Sequence, residues 1–262
     1  MERFVLTSLD GIGLDAVAHL PTSGATQGVV VQFHGINANM DEGGMYVRLA
    51  DQLVSAGSAA LRISFRGHGG SGGAQRGATI AGEMLDLQAA IEYVMDRWPA
   101  RPLYVVASSF GAVSTALSLP WLDSQLAGLV LWNPVLDLRR TFLEPELPWG
   151  LENYSPEQQA RLHSRGSLFI DGEFELGRVM WSEFGHYNPA DEFTRSRVAS
   201  LVVHGDRDTA VSYEIAKTAA AEKSGCQFHT VTGSDHGFDT RAHEDEAIAA
   251  TIAWLTEKSS AS

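Results

Sequence analysis

Ser109 stands where a chain presents a serine hydroxyl for covalent chemistry. Leu103–Ala107 is an apolar run of strand length, Ala107-Ser108-Ser109-Phe110-Gly111 follows, and a helical pattern continues through Leu119. A strand that turns sharply into a helix needs small residues two positions before and after the corner, because the two backbones nearly touch there. Ser109 has Ala107 and Gly111 at those offsets, whereas Ser108 would have Val106 and Phe110, so Ser109 is the candidate nucleophile. The first position is alanine in place of glycine, and a serine in such a turn also serves as a plain helix cap. Its companions decide between the two. Phe33-His34-Gly35-Ile36-Asn37, His204-Gly205-Asp206-Arg207-Asp208 and Gly233-Ser234-Asp235-His236-Gly237 each follow an apolar strand-like run. A hydroxyl is a poor nucleophile at neutral pH until a base takes its proton, so a serine, a histidine and a carboxylate at strand ends point to acyl transfer.

The elements that must bring these residues together alternate. Arg3–Leu9 and Leu14–Leu20, joined by Asp10-Gly11-Ile12-Gly13, read as an antiparallel hairpin. Strands are then expected at Gly28–Phe33, Ser58–Phe65, Leu103–Ala107, Leu126–Trp132, Val198–His204 and Gln227–Val231. Helices are expected at Tyr46–Ala56, Ile80–Trp98, Tyr213–Lys223 and His243–Thr256, and the polar end Lys258–Ser262 is expected to fray. Such alternation predicts an α/β chain with a mainly parallel sheet covered on both faces, its ligand beyond the carboxyl ends of the strands. The stretch from Asn133 to Asn188 is too long for an ordinary connection. It carries Leu143, Trp149, Tyr154, Phe169, Phe174, Trp181, Phe184 and Tyr187, and reads as a small cap over the ligand end.

Composition bounds the partners. The 262 residues suit one large domain or one domain with an insertion, and 44% hydrophobic with 19% charged residues is an ordinary globular balance. A net charge of −13 with scattered arginines argues against nucleic acid. No window approaches the roughly 18 apolar residues of a membrane span. The start, Met1 to Thr7, lacks the pattern of a secretory signal, and one cysteine, Cys226, suits a reducing compartment, so a cytoplasmic location is expected.

The chain resembles the α/β-hydrolase superfamily over nearly its full length, through Phe33-His34-Gly35, Phe65-Arg66-Gly67-His68-Gly69-Gly70-Ser71, Ala107–Gly111, His204–Asp208 with Val211, and Asp235-His236-Gly237-Phe238. The order Ser…Asp…His is the order of that superfamily. The resemblance is nearest to small bacterial acyl hydrolases with an inserted cap, of cinnamoyl/feruloyl-esterase-like or lysophospholipase- or thioesterase-like kind. It implies an α/β-hydrolase core at 1–133 and 189–262 with a cap insertion at 134–188. It implies Ser109 as nucleophile, His236 as base, Asp208 as the acid that orients the imidazole, and the backbone N–H groups of Ile36 and Phe110 as the oxyanion hole. The expected reaction is cleavage of a carboxylic ester or thioester, the substrate small or carrier-bound, through an acyl-enzyme that needs no metal or organic cofactor. His34, Trp149, Phe174 and Trp181 are the candidate substrate contacts. Alternatives on the same triad are an acyltransferase, a cyclase or a peptidase, and outside enzymes a binding protein that has kept the fold. A dehalogenase-like reading fails, because it needs a carboxylate where Ser109 stands.

Each role has a competitor. Asp206 reads as a turn former capping the next helix, and Asp137 is a third carboxylate after a strand. His34 also reads as structural, shaping the oxyanion loop by hydrogen bonds, and His68, His186, His204 and His243 read as ordinary polar residues without zinc-ligand spacing. Gly67-His68-Gly69-Gly70-Ser71-Gly72 matches G-x-G-x-x-G, but Gly73–Gly77 continues as loop where a dinucleotide site would open a helix.

Overall fold

The protein is described by a computed structural model covering residues 1–22 and 26–261. Residues 23–25 and 262 lie outside that description, so the fraying expected at Ser262 is untouched by it. Strands β1 (Glu2–Thr7) and β2 (Gly13–His19) form the expected hairpin, and β2 runs antiparallel to β4 (Ala59–Ile63). From there β3 (Val29–Phe33), β5 (Leu103–Ser108), β6 (Leu126–Trp132), β9 (Ser200–Gly205) and β10 (Cys226–Val231) extend the sheet in parallel, in the order β1-β2-β4-β3-β5-β6-β9-β10. All residues of β3, β4, β5 and β9 are buried, which is why they read as continuous apolar runs rather than alternating ones.

Two apolar layers cover the sheet. Helices α1 (Met45–Ser55) and α9 (Arg241–Ala261) pack through Tyr46, Leu49, Leu53, Ile248 and Trp254 on one face. On the other face lie α2 (Ile80–Arg97), α3 (Gly111–Leu122), α7 (Pro189–Arg195) and α8 (Tyr213–Glu222), through Leu87, Ile91, Ala112, Ala116, Phe193 and Ala216. The cap of α2 is Thr79, whose hydroxyl accepts from Gly82 N–H at 2.9 Å. Two expectations change. Helix α9 continues to Ala261, so 258–261 is helical rather than frayed. The cap of α8 is Ser212, which accepts from Ile215 N–H, while Asp206 accepts from Gly233 N–H at 2.6 Å and ties β9's exit to β10's.

Between β6 and β9 the chain forms a π-helical turn (139–143), α4 (Pro148–Asn153), α5 (Pro156–Arg165), the hairpin β7 (Ser167–Ile170) and β8 (Phe174–Gly177), and α6 (Arg178–Glu183). Its apolar side chains do not close on themselves. Phe142, Tyr154, Leu168, Phe174, Met180 and Phe184 share one cluster with Ile36, Phe110 and Val113 of the core. Polar ties join the same two parts: Glu183 accepts from Ile80 N–H at 2.6 Å and Gln75 accepts from Glu175 N–H at 2.9 Å. Gly177 is glycine by necessity, since a Cβ there would stand 1.9 Å from the Arg76 carbonyl oxygen.

Candidate active site

Four strand ends on one edge of the sheet supply the site. β5 runs into Ser109, whose φ of +48° is the left-handed conformation that a sharp strand-to-helix turn imposes. Strain of this kind persists where the surroundings over-determine it. Here they do: Ser109 N–H donates to Trp132 O at 2.8 Å and Ser109 O accepts from Val135 N–H at 3.0 Å. Gly111 permits the approach to β3, because a Cβ there would lie 2.6 Å from both Phe33 O and His34 O.

The loops after β9 and β10 complete a chain of hydrogen bonds. Ser109 Oγ lies 2.9 Å from His236 Nε2, and His236 Nδ1 lies 2.7 Å from Asp208 Oδ2. The other Asp208 oxygen accepts the N–H groups of Ala210 at 2.8 Å and Val211 at 2.7 Å. Burial alone would push the Asp208 carboxyl up, but the charge of His236 and hydrogen bonds from His204 and His236 outweigh it and hold the group well below the usual carboxylate range. For His236 burial lowers and Asp208 raises, with smaller contributions from Glu42 and Asp235, and the net shift is upward.

After β3, His34 fixes the loop that carries Gly35 and Ile36. Its Nε2 accepts from Phe65 N–H at 2.9 Å, so Nδ1 carries the proton and donates to Gly35 O at 2.7 Å. Burial holds this imidazole well below its ordinary pKa and keeps it neutral. Among the described residues, neither Ile36 nor Phe110 spends its N–H on a backbone acceptor in a turn or loop. Phe110 also packs edge-on against Phe142 and Phe184, so the residue after Ser109 is the floor beneath the 134–188 segment.

A cavity of about 240 Å³ opens at Ser109 and His236, walled by Ile36, Val135, Phe142, Trp149 and Val211. Of the four candidate substrate contacts, Trp149 lines it. The other three are not among the residues that wall it. His34 turns both nitrogens to the backbone, Phe174 is buried in a stack on His68 at 4.8 Å, and Trp181 packs against Tyr154 and Phe184. Asp171, at the β7–β8 turn, accepts from Trp149 Nε1 at 2.9 Å and from Asn37 Nδ2 at 2.7 Å, closing one side of the mouth. The Asp137 carboxylate accepts from the nearby Arg140 N–H, and Cys226 lies at the start of β10 with its thiol pushed up to about 11 by burial.

Two residues near the site carry no role in the sequence-based reading. His204 donates Nε2–H to Asp208 Oδ2 at 3.0 Å, and Glu42 accepts from Gly35 N–H at 2.9 Å and Ser108 Oγ at 2.8 Å. The four-residue spacing of His204 and Asp208 is a signal for the first. Nothing local marks the second beyond the Gly43-Gly44 pair behind it.

A family described as serine aminopeptidase, S33, matches residues 24–166, more than half of the chain and a span that includes His34 and Ser109. The chain belongs to that family of serine hydrolases. No curated protein sequence matches. Among solved structures, this S33-family chain is similar to Est1E from Butyrivibrio proteoclasticus with ferulic acid bound, with a TM-score of 0.82 at 21% identity, covering 97% of this chain and 98% of that one. It is also similar to an esterase from Pyrococcus furiosus (TM-score 0.73, 19% identity, 98% and 90% covered) and to mouse alpha/beta hydrolase domain-containing protein 10 (TM-score 0.76, 16% identity, 98% and 99% covered). At these identities the likeness establishes the α/β-hydrolase fold of the S33-family chain. No helix among its described residues is long and apolar enough to cross a membrane.

Proposed function

We propose that this chain cleaves a carboxylic ester or thioester through an acyl-enzyme on Ser109. The observation that carries the proposal is the unbroken relay from Ser109 Oγ to His236 at 2.9 Å and on to Asp208 at 2.7 Å, at the mouth of an apolar cavity. Ser109 Oγ attacks the carbonyl carbon while His236 Nε2 takes its proton. The carbonyl oxygen becomes an oxyanion held by the N–H groups of Ile36 and Phe110. When the intermediate collapses, the bond to the leaving oxygen or sulfur breaks, and His236 returns the proton to it. Water then repeats the sequence on the acyl-Ser109 ester, with the same histidine as base, and frees the acid. Asp208 keeps the proton-bearing Nδ1 of His236 in place and stabilises the imidazolium.

The 134–188 segment acts as a cap that forms part of the acyl-binding wall through Thr141, Phe142 and Trp149. Those aromatic walls favour a small aromatic or apolar acyl group, and the ferulic acid bound to Est1E in a structure of the same fold agrees in character. A second reading is an amide or peptide bond as substrate, favoured by the name of the matched family.

Labelling with a fluorophosphonate and peptide mapping tests the nucleophile. Adduct on Ser109 in the wild type, lost in His236→Ala, is expected. A folded wild type without adduct defeats the proposal. Comparing 1-naphthyl acetate with amino-acid 2-naphthylamides decides between the two bonds: faster amide cleavage favours the second reading.

A further inference from the structure

Glu42 is held in a conformation that a residue with a side chain seldom takes. Its φ is +45°, and Gly43 and Gly44 follow at +61° and +95°. The bent loop turns the carboxylate back toward the loop's own start, where one oxygen, Oε2, accepts both Gly35 N–H and the Ser108 hydroxyl. Gly35 precedes Ile36 in the oxyanion loop, and Ser108 precedes Ser109 in the elbow. A single atom therefore joins the two segments whose separation sets the oxyanion hole. The gap is narrow: a Cβ on Gly35 would lie 3.1 Å from Ser109 Cβ, 3.5 Å from Ser109 Oγ and 3.7 Å from the other Glu42 oxygen. Glu42, Ser109 and His236 also line one shared cavity of about 250 Å³ on the side of Ser109 that carries Met45 and Trp132.

We propose that Glu42 is a positioning residue, its carboxylate tying the oxyanion loop to the nucleophile elbow while its charge supports the imidazolium that forms at His236. The inference rests on the acyl-enzyme reading above. Loss of alignment by a few tenths of an ångström weakens preorganised donors where charge develops, so the tie acts on the transition state more than on substrate binding. The charged groups facing His236 are Asp208 from the loop after β9, Asp235 on its own turn and Glu42 from the loop after β3. Asp239 and Glu244 stand at the rims of the two cavities, Asp239 beside His243 and Glu244 paired with Arg48. Glu42 is thus a negative charge bonded directly to the elbow residue Ser108, with no ion pair to a lysine or arginine among the described residues. Its charge adds to that of Asp208 in raising the His236 pKa.

Glu42→Gln and Glu42→Ala separate the tie from the charge. A glutamine carbonyl can accept both hydrogen bonds at one oxygen, so Glu42→Gln is expected to keep kcat on 1-naphthyl acetate at alkaline pH within about three-fold, while the acid limb of kcat/KM moves to lower pH. Glu42→Ala loses both, and kcat is expected to fall roughly 10- to 100-fold with KM within about two-fold. Ser108→Ala removes only the elbow side of the tie, so a smaller fall in kcat and an unmoved acid limb are expected, which keeps the test valid if Glu42→Ala does not fold. An acid limb unmoved in Glu42→Gln, or full kcat in both Glu42→Ala and Ser108→Ala, overturns the inference while Ser109 labelling still stands. A wild type that neither labels at Ser109 nor hydrolyses the ester overturns the underlying reading, and the inference falls with it.

Discussion

His204 and His236 bond to the same oxygen of Asp208, His204 Nε2 at 3.0 Å and His236 Nδ1 at 2.7 Å. The His204 ring is fully buried between the edge of Tyr213 and the face of Phe228, so it cannot swing away. Its donation lowers the basicity of Asp208 and pins the carboxylate from behind. Replacing His204 by phenylalanine keeps the ring and deletes the bond. The expected result is a stability loss of about 1–3 kcal/mol in urea unfolding, with kcat reduced less than by Asp208→Ala. Equal kcat losses in the two variants would show that the hold of Asp208 on His236 depends wholly on His204.

On the proposed mechanism, proton affinity at His236 sets the low-pH edge of activity. Because its pKa is raised above 6.5, the free base needed to accept the Ser109 proton appears only above the ordinary imidazole range. The acid limb of kcat/KM is therefore expected above pH 6.5 for a neutral ester, and Asp208→Asn should move it down while lowering the plateau. A limb at or below the ordinary value in the wild type contradicts the electrostatics.

Glu83 predicts a different pH effect, on stability. This carboxyl is 1% exposed, bonded to Ser114 Oγ at 2.8 Å between α2 and α3, and pushed up to about 8 by burial, with the charge of Asp86 adding to the rise. A folded pKa above the unfolded value means that the folded state holds the proton more tightly. Its contribution is complete below about pH 4.5 and is lost as pH rises through 8. Melting temperature should therefore fall between about pH 4.5 and 8 and level off above that, and Glu83→Gln, which cannot ionise, should flatten that slope. An unchanged slope in the variant refutes the assignment.

The walls around Ser109 carry Asp171, Asp235 and Asp239 on one side and Glu42 and Glu244 on the other, with no lysine or arginine among the lining residues. Polyanionic leaving groups meet that field unfavourably. For one acyl group, kcat/KM is expected to be higher for the uncharged N-acetylcysteamine thioester than for the coenzyme A thioester. The gap should narrow with added salt, since screening shortens the repulsion. A coenzyme A preference at low salt would reverse this reading of the walls.

Strand runs and helix periodicity make the sheet and most of its covering helices legible from local pattern, and the small-x-Ser-x-small corner singles out Ser109 once the motifs at His34, Asp208 and His236 stand beside it. The signals are strong because each is confined to fewer than twenty consecutive residues and answers to one face of one element. What stayed hidden depends on meetings across the fold. Asp206 reads as a helix cap until β10 arrives beside it with Gly233 N–H, and Ser212 takes the capping role. Phe174 and Trp181 read as substrate contacts from sequence, and the structure packs Phe174 on His68 of the core and Trp181 on Tyr154 and Phe184, partners that no local pattern announces. The β7–β8 hairpin goes unread because its strands are four residues each, too short for alternation to register. Glu42 was invisible for a related reason. Its partners are 7 and 66 residues away, and no spacing rule links them.

The way the insertion is sewn to the core bears on how such chains can be recombined. Gly177 admits the Arg76 carbonyl, Glu183 takes the first N–H of α2, and Asp171 holds Asn37 beside the oxyanion loop. A graft that carried 134–188 alone onto a related core would leave each of these seams mismatched, and one of them adjoins the cavity at Ser109. Chimeras would have to transfer the 36–42 and 75–83 loops together with the insertion.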